Sequence, residues 1–526
     1  MHGLRPDAGK RGTDSVLPDA IIEENTDSSY VQGDKTMVFD SEGDDIFYAS
    51  HQGIYHYNTG GSVSEQMVNG ELNSMGNPNV SFRKLFHINE DTFLLWAKDE
   101  SDKDVLLKYA YSADASTVPD KELTVYALED SSEIRQAISA FQKEHDDIYV
   151  NLKIGRSGDD AVTADDALRT LNSDIMAGEG PDVIILDGMP VDNYIDKGLL
   201  MDISDVAEEV KSENSLFENL CGVYEKDGKY YGLPSRFLLP FVEGEKQAVD
   251  AAGTIDGLAS YIQSLSQNGS EHPVICLSAS TLLGYLFDAD SARWIDGTKV
   301  DQEGLQKFFE SAKSIYDADD DKENALDLET QGIDHVGSSG TLNLFTGDIA
   351  VNLGTIGSDA DLMAILSVNQ QVKDKTLTYG LLNGQEKKIF IPYLSAGISS
   401  KSKHPDEARA FIKTMLSEEV GSVSGNGLPV NRTAFDALMQ QEEGTSSSMA
   451  FTNEDGEMIS LDMTAPTGDD IKTLSGIIDM LDTAAVTDTV LREQIVEQGE
   501  AYLNGSQSLA DTVQSTMQKI ELYLSE

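Results

Sequence analysis

Cysteine is nearly absent from this chain of 526 residues: Cys221 and Cys276 are the only two. Two cysteines cannot build a disulfide framework or a four-cysteine zinc site, although one bridge between them stays open. Tryptophan is as scarce, with Trp96 and Trp294 alone. No apolar run approaches the roughly 18–20 residues needed to cross a bilayer. Positive charge is also short: 38 Lys and Arg stand against 92 Asp and Glu, a formal net charge of −54. Such a surface repels phosphate backbones and anionic leaflets, which argues against nucleic-acid and membrane-surface partners. It reads as a strongly solvated, aggregation-resistant exterior. Catalytic signatures are missing too: there is no G-x-S-x-G elbow, no H-E-x-x-H and no P-loop. The eight histidines show no ligand spacing. Asp317-Ala-Asp-Asp-Asp-Lys-Glu323 has the acids of a calcium loop, but Lys322 stands where the turn glycine belongs and Leu328 where the last carboxylate belongs. It is read as a solvated acidic loop, and no metal or cofactor is expected.

Hydrophobic residues make up 40% of the chain and charged residues 25%, which is ordinary for a folded protein. The length calls for two to four domains. Residues 1–29 are polar and aperiodic and are expected to be a disordered tail. Residues 30–118 read as a module of short strands. Asp45-Ile-Phe-Tyr…Gly53-Ile-Tyr-His-Tyr57 and Asp91-Thr-Phe-Leu-Leu-Trp96…Leu106-Leu-Lys-Tyr109 look like two copies of one hairpin unit, similar to β-propeller blades. Two blades cannot close a ring. The region is therefore the end of a longer propeller or a small β module, with Trp96 expected in its core. Ser112 to Lys121 reads as a linker.

The texture then changes to alternating strands and helices. Leu123–Leu128 is a strand. Asp130 stands three residues before Glu133, the spacing of a capping box. Ile134, Ile138 and Phe141 follow at helical spacing. Ile148, Val150, Leu152 and Ile154 alternate as a strand, and Leu168, Leu171 and Ile175 mark the next helix. Asp182-Val-Ile-Ile-Leu-Asp187 is an apolar run, as expected of a strand covered on both faces. This order implies a parallel α/β sheet whose ligands sit beyond the carboxyl ends of the strands. Those ends are Glu129–Asp130 and Asp187–Gly188–Met189.

At this point the chain resembles a known family. Gly180-Pro-Asp-Val-Ile-Ile-Leu-Asp187, Tyr194-Ile-Asp-Lys-Gly-Leu-Leu200, Asp227-Gly-Lys-Tyr-Tyr-Gly-Leu-Pro234 and Leu394-Ser-Ala-Gly-Ile-Ser-Ser400 are similar, in content and order, to the extracellular solute-binding proteins of ABC importers. The branch is the sugar-binding one that includes maltose-binding protein. The resemblance covers roughly Leu123 to Glu526. It implies an α/β fold of the periplasmic-binding-protein type II, two lobes joined by a hinge, preceded here by the small all-β module. Lobe 1 is expected at 122–235 and 396–440, and lobe 2 at 236–395 and 441–526. The resemblance further implies a monomer that binds a small-molecule solute, most readily a sugar or oligosaccharide, and hands it to a membrane permease without catalysis. Members are exported and often lipid-anchored. The start Met1-His-Gly-Leu-Arg-Pro-Asp7 has no apolar signal core, so the expectation is an extracellular protein attached through a leader or anchor that this sequence does not contain.

The candidate ligand residues come from strand ends and lobe crossings. Glu129 is expected to face the cleft, and Asp130 either to cap its helix or to join it. Asp187, Gly188 and Met189 form the loop that touches ligand in the family. Arg236 and Phe237 lie at the first crossing; the guanidinium could fork onto a polar ligand or pair with an acid. Asn352 could bond a sugar hydroxyl. Thr355 and Ile356 stand where the maltose-binding relative carries a stacking tryptophan, which argues against a long glucan. Tyr393 and Trp294 could stack on a sugar ring or lie in the core. Two readings of other classes stand beside this one. A secreted carbohydrate-active enzyme would need a fixed carboxylate pair. A cell-surface sensor or scaffold would show an exposed apolar patch on the β module.

Overall fold

The computed structural model describes residues 37–110 and 121–525, apart from positions 60, 62, 90, 100–102, 146, 157–161, 214, 298, 320, 332–335, 374, 386, 441–446 and 453–457. The expected tail and most of the expected linker lie outside the described residues. The chain divides into two compact units, 1–122 with 131–150 and 123–130 with 151–526.

In the first unit, β1 (Val38–Glu42), β2 (Asp45–Ser50), β3 (Gly53–Asn58) and β4 (Ser64–Asn69) form one antiparallel meander. A second meander holds β5 (Ser81–Asn89), β6 (Thr92–Lys98) and β7 (Asp104–Ala110). Alternation puts Phe47 and Ile54 of one sheet, and Phe82, Leu85, Phe93 and Leu95 of the other, into one shared core. Each large side chain buried there is worth about 1.5–3 kcal/mol. β4 was not legible in the sequence because Ser-Glu-Gln-Met-Val-Asn lacks alternation. Trp96 is not in the core: it sits on the outer face and is 43% exposed.

The helix Ser132–Glu144 belongs to the same unit, with Ile134 and Phe141 on its buried face. Its cap is Ser131, whose hydroxyl accepts from the Ile134 amide at 3.2 Å. The expected Asp130–Glu133 box is therefore corrected by one residue, since the cap must lie three positions before the amide it satisfies.

The second unit is mixed α/β. β8 (Lys121–Ala127) from Leu123 onward, β9 (Ile148–Ile154) from Asn151 onward and β10 (Val183–Ile185) supply the start of its main sheet, with β8 and β10 parallel. A return strand, Ile389–Ile398, pairs antiparallel with β10. Next comes the crossing strand, Leu233–Glu245, buried over all but its last residue. Its first half pairs with the return strand from Leu233↔Ala396 to Leu238↔Ile391. Its second half pairs with Val351–Ile356 and Leu377–Leu381. One strand thus runs out of the first lobe and into the second, and another runs back. This is the two-lobed type II arrangement, with the return strand inserted between β10 and the crossing strand.

The second lobe is built on amphipathic helices. Asp301 caps Gln302–Tyr316 by accepting from the amides of Glu303 and Gly304, and Leu305, Phe308, Phe309, Ala312 and Ile315 make its buried face. The last two helices, Thr489–Leu503 and Leu509–Ser525, pack into the same core through Leu491, Ile495, Val513 and Ile520. Cys221 and Cys276 are both free thiols.

Candidate ligand site at the lobe junction

Parallel strands β8, β9 and β10 end on the same side. Amide bonds from Gly155 to Ala127 and from Arg156 to Leu128, at 2.8 and 2.9 Å, set Arg156 beside the end of β8. Its Nη1 lies 3.0 Å from Glu129 and 3.0 Å from Glu493, a residue of the helix Thr489–Leu503. Glu129, expected to face a cleft, is one arm of an ion triad that ties the first lobe to the penultimate helix. All three groups are partly exposed, so each pair is worth at most about 1 kcal/mol. Asp130 is exposed beside them.

Asp187 does something other than face a ligand. Its two oxygens accept from the backbone amides of Leu394 at 2.7 Å and Ser395 at 3.0 Å, on the return strand. Burial pushes its carboxyl up to about 7 against those two bonds. Tyr224 donates to Ser395 Oγ next to it, at 3.4 Å.

Gly188 has φ +77°, and its carbonyl accepts from the Thr489 amide at 3.1 Å. A Cβ there would stand 2.6 Å from Thr489 Oγ1. The start of the penultimate helix is thus docked on the end of β10. Asp488 caps that helix through the Leu491 amide at 3.1 Å, and Tyr523 donates to both its oxygens at 3.1 and 3.0 Å. Burial pushes Asp488 up to about 6. Val490 enters the first lobe's core beside Tyr194 and Met189.

Two buried phenols flank this junction, Tyr126 and Tyr194, and neither has a hydrogen-bond partner among the described residues. Burial raises both above the ordinary tyrosine value, Tyr126 to about 12. Glu129 adds to the shift of Tyr126, and Asp488 to that of Tyr194. A pocket of about 430 Å³ opens beside Tyr194, between the helices Ala164–Ala177 and Val191–Asp196. Its lining includes Arg169, Asn172, Asn193, Tyr194 and Tyr523. The Asn172 side-chain oxygen also lacks a partner among the described residues.

The remaining expected residues are placed elsewhere. Met189 is 1% exposed and belongs to the first lobe's core. Arg236 is buried, and its guanidinium donates to the carbonyls of Gly427, Val420 and Val423 at 2.8, 3.1 and 2.9 Å. These three bonds make it a strut for that loop. Phe237 is fully buried and packs edge-on to Phe217 and Phe390. Trp294 is a core residue, its Nε1 donating to Asp290 at 2.9 Å and its ring packed on Phe287 and Phe308. Thr355 is buried within its strand. Asn352 is also fully buried, donating to Glu243 at 3.3 Å and to Thr341 at 3.1 Å, and Thr341 donates to Glu243 at 2.8 Å. This interior network pushes no group toward solvent, and Glu243 is raised to about 7 by burial. Tyr393 is half-buried opposite Arg236.

The sequence reading missed Arg156, Glu493, Tyr126, Tyr194, Asp488 and Tyr523. Arg156 was findable by the strand-end rule applied to β9. Asp488 had the signal of a helix cap. Nothing local announces that Tyr523 reaches Asp488.

Two lobes, two crossing strands and a polar junction define a solute-binding architecture. The profile of the bacterial extracellular solute-binding proteins matches residues 127–422. That is more than half of the chain, which therefore belongs to this family. Its members bind solutes for ABC transporters. Similar solved structures include a family 1 extracellular solute-binding protein from Alicyclobacillus acidocaldarius, at 15% identity and TM-score 0.44, covering 78% of this chain and 100% of the other. An ABC substrate-binding protein from Listeria monocytogenes, in complex with cycloalternan, shows 15% identity and TM-score 0.46, covering 77% and 99%. The galacto-N-biose/lacto-N-biose I-binding protein of Bifidobacterium longum, in complex with lacto-N-biose, shows 15% identity and TM-score 0.48, covering 77% and 98%. No curated protein matches in sequence. No helix among the described residues is long and apolar enough to cross a membrane.

Proposed function

We propose that this protein captures a small sugar or oligosaccharide outside the cell and delivers it to the permease of an ABC importer. The observation that carries the sugar assignment is the pocket of about 430 Å³ beside the unpartnered Tyr194 hydroxyl and Asn172 oxygen. A buried polar group without a partner costs about 1–3 kcal/mol. Both atoms are buried, so a ligand hydroxyl bonds either one, removing its cost, once that side chain turns toward the pocket. The volume suits a ligand of one to three rings, since small-molecule pockets run from about 300 to 1,000 Å³. Arg169 and Asn193 add polar groups to its lining. Opening the lobes would break the Gly188–Thr489 bond and the Arg156–Glu493 pair, and closure around a ligand would restore them.

A thermal-shift screen of mono- and oligosaccharides tests this. A sugar at about 100 times its dissociation constant should add roughly 2.7 kcal/mol of stability. It should be recovered unchanged by chromatography, and Tyr194→Phe should weaken it at least tenfold. Steady conversion of the sugar would favour the enzyme reading instead, and stabilisation by peptides alone would remove the sugar assignment.

A further inference from the structure

The outer face of the β5–β7 sheet carries a feature that solute import does not use. Residues paired directly across antiparallel strands project to the same face. Lys84 pairs with Trp96 and Trp96 with Leu106; two residues along, Phe86 pairs with Leu94 and Leu94 with Lys108. These six form a grid of two rows across three strands. The opposite face holds Leu85, Phe93 and Leu95, all fully buried. The grid therefore faces outward, and Leu106 is 62% exposed.

The exposed indole is held in place. Its Nε1 donates to Asp104 at 2.8 Å, which fixes the ring plane. Lys84 is steadied over the Phe86 ring, 4.8 Å from its centroid. Lys84 and Lys108 at opposite corners outnumber the Asp104 carboxylate that holds the indole, in a chain of net charge −54. Across the sheet they stand two strand spacings apart, about 9.5 Å.

We propose that this face binds a short acidic oligosaccharide, a glycan of a few rings carrying uronate-type carboxylates. A sugar ring presents a flat C–H face to the indole, while its carboxylates meet Lys84 and Lys108. An acidic peptide supplies the charge but no flat apolar face, and extended peptides add to sheet edges rather than faces. A long polyanion reaches the acids beyond the patch and is repelled. A short one stays within the roughly 8 Å over which physiological salt lets a charge act.

The test uses the full chain and trigalacturonate as the probe. Trp294 is only 4% exposed, so quenching of exposed indole reports Trp96. The expected result is saturable quenching by trigalacturonate, with maltotriose and triglutamate at least tenfold weaker. By calorimetry, Trp96→Ala and the double variant Lys84→Glu/Lys108→Glu should each lose at least tenfold in affinity at unchanged Tm. No saturable binding of trigalacturonate would overturn the proposal. So would equal binding of triglutamate, which would point to an acidic protein surface, equal binding of maltotriose, or unchanged affinity in Trp96→Ala.

Discussion

The carboxylate of Asp187 holds Leu394 by its backbone amide at 2.7 Å, and Leu394 sits at φ +49°, in the left-handed region that side-chain-bearing residues rarely adopt. Such a conformation costs roughly 1–2 kcal/mol. The Asp187 bonds to Leu394 and Ser395 compensate it, at the point where the chain re-enters the first lobe. Asp187→Ala should therefore destabilise the protein by about 2–4 kcal/mol, because two buried amides lose their acceptor. Urea denaturation measures this, and a loss below about 0.5 kcal/mol would show that the amides find other partners.

The same group makes stability depend on pH. Asp187 is raised from 3.8 to about 7, Asp488 to about 6 and Glu243 to about 7. Between the ordinary carboxylate value and these values, the folded state binds more protons than the unfolded one. Stability is thus fullest below about pH 4 for these groups and falls as pH rises through 6 to 7. Relief of self-repulsion in an acidic chain acts in the same direction. Denaturation midpoints should be higher at pH 5 than at pH 8, and Asp187→Asn should flatten the difference. A midpoint that rises toward pH 8 would contradict the assignment.

Tyr523 donates to both oxygens of Asp488, joining the last helix to the start of the one before it. Tyr523→Phe keeps the ring and removes the donor. The expected cost is about 1–3 kcal/mol, larger at pH 8, where Asp488 is ionised, than at pH 5. Equal losses at both pH values would assign the effect to packing alone.

Gly188 meets two demands at once, φ +77° and contact with Thr489. Gly188→Ala should weaken the docking of the helix Thr489–Leu503 by at least about 1 kcal/mol. Hydrogen exchange at the Thr489 amide should rise at least fivefold, while amides of the β6 core strand keep their protection. Unchanged exchange at Thr489 would show that the loop absorbs the methyl group.

The expected linker before Lys121 suggests a clean cut, yet Ser131–Val150 groups with the β strands of the first unit. A chain beginning at Pro119 should therefore fold with its helix Ser132–Glu144 poorly protected from hydrogen exchange. Full protection of that helix would restore the linker as the boundary.

Much of the fold is legible in local pattern. Strands β8 to β10 and the helix Gln302–Tyr316 declare themselves because period and capping are properties of a few consecutive residues. Gly188 and Glu129 were expected at a ligand cleft by the rule that ligands meet the carboxyl ends of parallel strands; the structure pairs Glu129 with Arg156 and bonds Gly188 to Thr489. Phe237, Arg236, Met189 and Trp294 sit next to such positions in sequence, and there the local signal ends. Along a strand or at a crossing, one residue's shift decides between solvent and core, and an arginine's partners, here three carbonyls, can lie some 190 residues away. Trp96 went the other way, outward, because only the pairing of three strands and a shared core fixes which face of a sheet is covered. Composition determined the charge and the lack of a long apolar run in this sequence, since those depend on counts and runs. The junction of Asp187 with Leu394, Gly188 with Thr489, and Asp488 with Tyr523 was decided by tertiary structure alone, because each contact exists only once elements far apart in the chain have packed and left those groups no water to bond.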